Sequence, residues 1–150
     1  MSRILLFLFL TVSLVCISSI SRATEMTFSS ITIESVGRDG RANKTVTADG
    51  SMSGGHMSGG MPPRIYRNEG RMPAEQLTQL SNLMQQAADQ LPNEQQPQHG
   101  QTVPTSYRRL TVARQGKPDC SFIASGESRF EQELFEQIFT LLAAQKVGGW

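Results

Sequence analysis

Apolar side chains fall along this chain in three patterns, and each predicts a different element. From Ile4 to Ile17 they form a run of 14 residues broken only by Thr11 and Ser13. Further on they alternate with polar residues, the period of a half-buried strand. In two later segments they recur every three or four residues, the period of an amphipathic helix.

The alternating segments predict two hairpins. Phe28, Ile31, Ile33 and Val36 interspersed with Thr and Ser suit a strand over residues 27–36. Gly37, Arg38, Asp39 and Gly40 form a turn, and the β-branched Thr45, Val46 and Thr47 supply a partner strand over 43–48. Leu110 and Val112 alternate with Arg109, Thr111 and Ala113 in residues 107–114, and after a turn at 115–119 a second partner runs from 120 to 125. Residues 64–67 allow one more short strand before a turn at Asn68-Glu69-Gly70.

The helical period occurs at Leu77, Leu80, Met84, Ala87 and Leu91. Pro73 stands at the first helical position, Glu75 at the positive end of the dipole, and Pro92 stops the helix. A broader stripe through Phe130, Leu134, Phe135, Ile138, Phe139, Leu141 and Leu142 predicts the main core helix, with Ser128 and Glu131 as a capping box. The expected fold is therefore α+β: a small antiparallel sheet of two hairpins, with room for one extra strand, and two amphipathic helices on one face.

Two segments lack either period. Residues 49–63 hold five glycines, three serines and a doubled MSGG motif, and residues 93–104 are rich in Gln, Pro and Gly. Both are expected as flexible loops, because they have little to bury and much backbone freedom to lose.

The first apolar run changes the picture of where the chain works. It follows Met1, Ser2 and Arg3, and as a helix it would span about 21 Å, short of the ~30 Å hydrocarbon layer. Ser21 and Ala23 supply the small side chains of a cleavage site. Residues 1–23 are thus expected to be a signal peptide, cleaved after Ala23, leaving residues 24–150 as one secreted or periplasmic domain with no stable membrane span. That mature part carries twelve basic and thirteen acidic residues, so no electrostatic footprint for nucleic acid exists. With Cys16 in the leader, Cys120 has no partner for an internal disulfide. Its place on the face of Phe122 and Ala124 predicts a buried, inert thiol.

Candidate chemistry is sparse. His56 lies in the glycine-rich segment and His99 in the Gln/Pro-rich one, which leaves little for acid–base work near neutral pH. The sequence has no nucleophile elbow, Walker loop, dinucleotide fingerprint or HExxH motif, so the expected protein is not an enzyme and carries no cofactor. The one metal-like constellation is Met52, His56, Met57 and Met61, soft ligands that would suit Cu(I) in an exported loop. Its rival is an incidental low-complexity linker. Asn43-Lys44-Thr45 fits the N-glycosylation sequon, relevant in a eukaryotic secretory pathway.

The layout also resembles the small bacterial emfourin-like proteins, inhibitors of thermolysin-like metallopeptidases, and related exported domains. The resemblance rests on the opening Ile31-Thr32-Ile33, the Gly70-x2-Pro73-x-Glu75-x-Leu77 start of a helix ending at Leu91-Pro92, Leu110-Thr111-Val112, and a closing helix through Leu134, Ile138 and Leu142. The MSGG segment and the Gln-rich insertion depart from that pattern, and no inhibitory residue carries over. It implies a non-enzymatic extracytoplasmic binding protein whose partner is a peptidase, with residues 49–63 as the obvious contact loop. Such a loop would lose much entropy on binding. The competing expectations are a periplasmic Cu(I)-binding protein and an envelope interaction domain.

Overall fold

A computed structural model describes residues 27–62, 64–93, 104–126 and 128–147. The expected signal peptide, the cleavage point at Ala23 and most of the 93–104 segment, with His99, lie outside the described residues.

One antiparallel sheet of six strands dominates the molecule. The strands are β1 (Ser30–Gly37), β2 (Gly40–Thr47), β3 (Ser51–Ser58), β4 (Ile65–Arg71), β5 (Tyr107–Arg114) and β6 (Lys117–Ser125), in spatial order β4-β3-β2-β1-β5-β6. Helix α1 (Ala74–Gln86), followed by a 3-10 turn at Ala88–Gln90, links β4 to β5, and α2 (Glu133–Ala143) follows β6. The class is α+β as expected, but the sheet is much larger than two hairpins. No helix among the described residues is long and apolar enough to cross a membrane.

The main correction concerns residues 49–63. Most of this expected loop is β3, an interior strand paired with β2 on one side and β4 on the other. The expected turn at Asn68-Glu69-Gly70 is likewise the second half of β4. Glycine and serine give β3 no propensity of its own. It is held instead by ladder bonds along both edges and by Met52, which is 4% exposed and sits in the core opposite Val46.

Its turn is locally specified too. Gly50 has φ +84 and donates its N–H to Thr47 O at 2.9 Å, while the Asp49 carboxylate accepts from Thr47 Oγ1, from Ser51 Oγ at 2.8 Å and from Ser51 N–H at 3.1 Å. At the other end Gly40, with φ +136, passes so close to Met57 that a Cβ would strike its carbonyl. Only glycine fits both that backbone and that space.

Alternation sorts the sheet into two faces. One cross-strand row, Met52, Val46, Ile31, Val112 and Cys120, is buried under the helices, and the next holds Ile33, Leu110 and Phe122. Leu80 and Met84 close this core from α1, Ala87 and Leu91 from the 3-10 segment that follows it, and Phe135, Ile138, Phe139 and Leu142 from α2. Phe122 stacks on Phe135 with centroids 4.0 Å apart, and Phe130 meets Phe139 at 5.5 Å. Both helices therefore cover the same face, as their stripes require.

Neither helix has a side-chain N-cap, and α2 is held at both ends by side chains from the sheet. Pro73 is the residue preceding α1, one place earlier than expected, with no side-chain cap. The Ser128/Glu131 capping box does not form, because α2 starts only at Glu133 after Gln132. Ser128 N–H bonds Ser125 O at 2.9 Å instead, and Phe130 N–H donates to Glu136 Oε2 at 3.1 Å. Glu136 also takes both terminal nitrogens of Arg108, at 3.0 and 3.1 Å, and this pairing keeps its carboxyl below the usual range. At the other end of α2, Lys44 Nζ donates to Leu142 O and Ala143 O, both at 3.0 Å, and to Gln145 O. A cation there also complements the negative end of the helix dipole. Burial pushes the Lys44 pKa down.

Candidate functional site

The second face of the sheet has no helix over it, and its side chains are those that alternate with the core. A hydroxyl ladder runs across it: Thr32 and Thr45 are joined at 2.8 Å, Thr111 and Ser121 at 2.9 Å. Beside this ladder Glu34 is 5% exposed although no secondary-structure layer covers it. Long neighbours fold over it. Arg109 Nη1 lies 3.3 Å from Oε2, Tyr107 Oη donates to Oε2 at 3.1 Å, and Arg41 pairs with Oε1. Arg109 in turn lies over the Tyr107 ring at 5.0 Å. Two guanidinium groups against one carboxylate leave this patch with a net positive charge.

Next to it, over β2, β3 and β4, the face sinks into a depression of about 530 Å³. Its floor is Gly55, where a Cβ would come within 3.2 Å of Asn43 Oδ1 and Tyr66 O. Arg41, Asn43 and Thr45 stand on one side, Arg67 and Glu69 on the other, and Met57 and Ile65 close the end nearest the β3–β4 turn. That end is apolar and uncovered: Met57 is 41% exposed, Ile65 67%, Tyr66 48%, and Met61 in the turn fully so. Met57 and Ile65 are direct cross-strand partners on the open face, while Tyr66 stands opposite His56 on the other.

The structure does not bring Met52, His56, Met57 and Met61 together. Met52 is in the core, and His56 lies four residues along β3, about 13 Å away. Met57, one residue further, points to the opposite face. A ligand set spread over two faces of a strand cannot converge on one ion. No group of three or more His, Cys, Asp or Glu among the described residues is placed to hold a metal either. Cys120 is free and 4% exposed, as its alternation predicted, and it accepts from Arg114 Nη2 at 2.9 Å. Four strand spacings, about 19 Å, separate its strand from that of His56, so the two form no dyad. Asn43 of the sequon is exposed on β2, beside the depression.

Sequence reading missed Glu34, Arg41, Tyr107 and Arg109. Their signal lay in strand register: Glu34 stands directly opposite both Asn43 and Arg109, and Val36, one step along its face, opposite Arg41 and Tyr107. Reading it requires knowing that β5 pairs with β1, a contact between segments more than seventy residues apart.

No protein-family model matches the chain, and no curated protein matches it at a significant level. The fold and its open face define an α+β module with one covered and one uncovered sheet surface.

Proposed function

We propose that this is an exported, non-enzymatic binding protein that inhibits a metallopeptidase, making contact through the β3–β4 hairpin end and the adjoining open face. The observation that carries the reading is the exposure of Met57, Ile65 and Tyr66 together at one end of a rigid hairpin, beside Arg41 and Arg67. Tyr, Met and Arg are the side chains that protein interfaces favour, and anchors of this kind supply most of the binding energy. The resemblance in element order to emfourin-like proteins, read from the sequence, is what suggests peptidases as the partner class.

Pairing of β3 along both edges lowers the entropic objection to residues 51–58 as a contact. A hairpin ordered before binding gives up much less freedom than a glycine loop.

The test is inhibition of a panel of thermolysin-like metallopeptidases by the purified protein. Saturable inhibition is expected, weakened about tenfold or more by Tyr66→Ala or Ile65→Ala, a loss typical of an interface anchor. A folded protein that inhibits none of the panel at micromolar concentration rejects the inhibitor reading.

A further inference from the structure

Strand β4 is one edge of the sheet, and its hydrogen-bonding geometry identifies which backbone groups it leaves unpaired. Ser58 N–H donates to Arg64 O at 3.0 Å, and Met72 N–H to Gly50 O at 2.9 Å, so the even-numbered residues of this stretch turn their backbone groups toward β3. The odd-numbered residues Ile65, Arg67, Glu69 and Arg71 therefore present N–H and C=O outward, with their side chains on the open face.

The sequence of this edge is self-complementary. If a second β4 is laid antiparallel with the two-fold axis at Asn68, Arg67 falls opposite Glu69 and Glu69 opposite Arg67, while Ile65 lies against the stem of Arg71. All four outward residues of each strand meet outward residues of the other, giving about eight new backbone hydrogen bonds. On the helix-bearing face Tyr66 falls opposite Gly70, so its ring has room over the other strand, and Asn68 meets its own copy, amide to amide.

The nearby registers fail. An axis at Arg67 sets that residue against itself, and an axis at Glu69 opposes two glutamates and pairs Arg67 with Arg71. Like charges directly opposite one another destabilise a pair. A shift by one residue would put outward groups against inward ones. Charges on an edge strand ordinarily deter pairing, but opposite signs two residues apart, centred on a residue that tolerates its own copy, suit a second β4 in this one register.

We propose that the protein self-associates through β4, two copies forming a continuous twelve-stranded sheet with Asn68 on the dyad. Among the described residues Arg67 and Glu69 take part in no ion pair within the chain, so both are available to the second copy. The association shares Ile65, Tyr66 and Arg67 with the proposed peptidase contact, so a chain paired in this way offers a peptidase only Met57, Met61 and the open face beside them.

Sedimentation velocity over a dilution series tests it without any peptidase present. The parent protein is expected to show a concentration-dependent species of twice the chain mass. Arg67→Glu, which creates two Glu–Glu oppositions, is expected to be monomeric throughout, and adding Glu69→Arg to it is expected to restore the dimer. Arg67→Pro removes the outward N–H together with the guanidinium, both of which face the second copy, and a proline there is tolerated on an edge strand; it is also expected to be monomeric, with an unchanged far-UV circular dichroism spectrum showing that the fold is kept. A parent protein that stays monomeric at every concentration, an open-ended polymer, or a dimer indifferent to Arg67→Glu would overturn the proposal.

Discussion

Asp49 and Lys44 each settle a piece of structure far larger than themselves. Three donors on Thr47 and Ser51 hold the Asp49 carboxyl down at about 2, against an ordinary 3.8. Because the folded value is the lower one, the stabilisation is complete above about pH 3.8 and is lost as the pH falls through about 2. Asp49→Asn is therefore expected to melt at a lower temperature than the parent at neutral pH, with the gap closing by pH 2; thermal unfolding of both proteins across that range checks it. Lys44 serves three carbonyls at the end of α2 with one ammonium. Replacing it with Met keeps the aliphatic stem and leaves the carbonyls without their donor, so a loss of about 1–3 kcal/mol is expected in urea unfolding. The donor's identity was invisible in the sequence, where Lys44 reads only as the middle of a glycosylation triplet.

At the scale of elements, β3 is where composition and structure part company. Its glycines and serines describe a linker, while the ladder on both sides makes it an interior strand. Met52→Ala should therefore cost about 2–5 kcal/mol, as for a buried side chain. Met61→Ala, at a fully exposed turn position, should leave stability unchanged. Equal and negligible effects in denaturant unfolding would return residues 49–63 to a loop. The two hairpins β1–β2 and β5–β6 and both helices were legible because β-branched alternation and leucine or phenylalanine stripes report burial directly. For β3 and β4 that report is weak, since only Met52 of their fifteen residues is buried. The start of α2 was misplaced for a different reason. A capping-box pattern is satisfied by side chains alone, whereas Arg108 and Glu136, brought together across the fold, had already claimed the segment before it. Of the candidate site only the alternation of Arg109 was visible; its meeting with Glu34 needed the β1–β5 register.

For the molecule as a whole, sheet order predicts a gradient of stability. β1 lies near the centre, paired along its full length by β2 and over Ser30 to Val36 by β5, and covered by α2, whereas β4 is bonded on one side only and has no buried residue. Hydrogen exchange is expected to be slowest in β1 and β5 and fastest among the odd-numbered amides of β4 in the dissociated chain, because protection follows local burial and bonding. Uniform protection across all six strands would contradict this. The ammonium of Lys44 joins residues 98 to 101 positions apart, the longest hydrogen bonds in sequence among those described. A chain that emerges from its N-terminal end can zip β1 to β4 early, but the apolar row Ile33, Leu110 and Phe122 stays wet until residues 133–145 arrive. Everything made before that point is a greasy half-structure, so the time between the two is when helper proteins or proteases would find it.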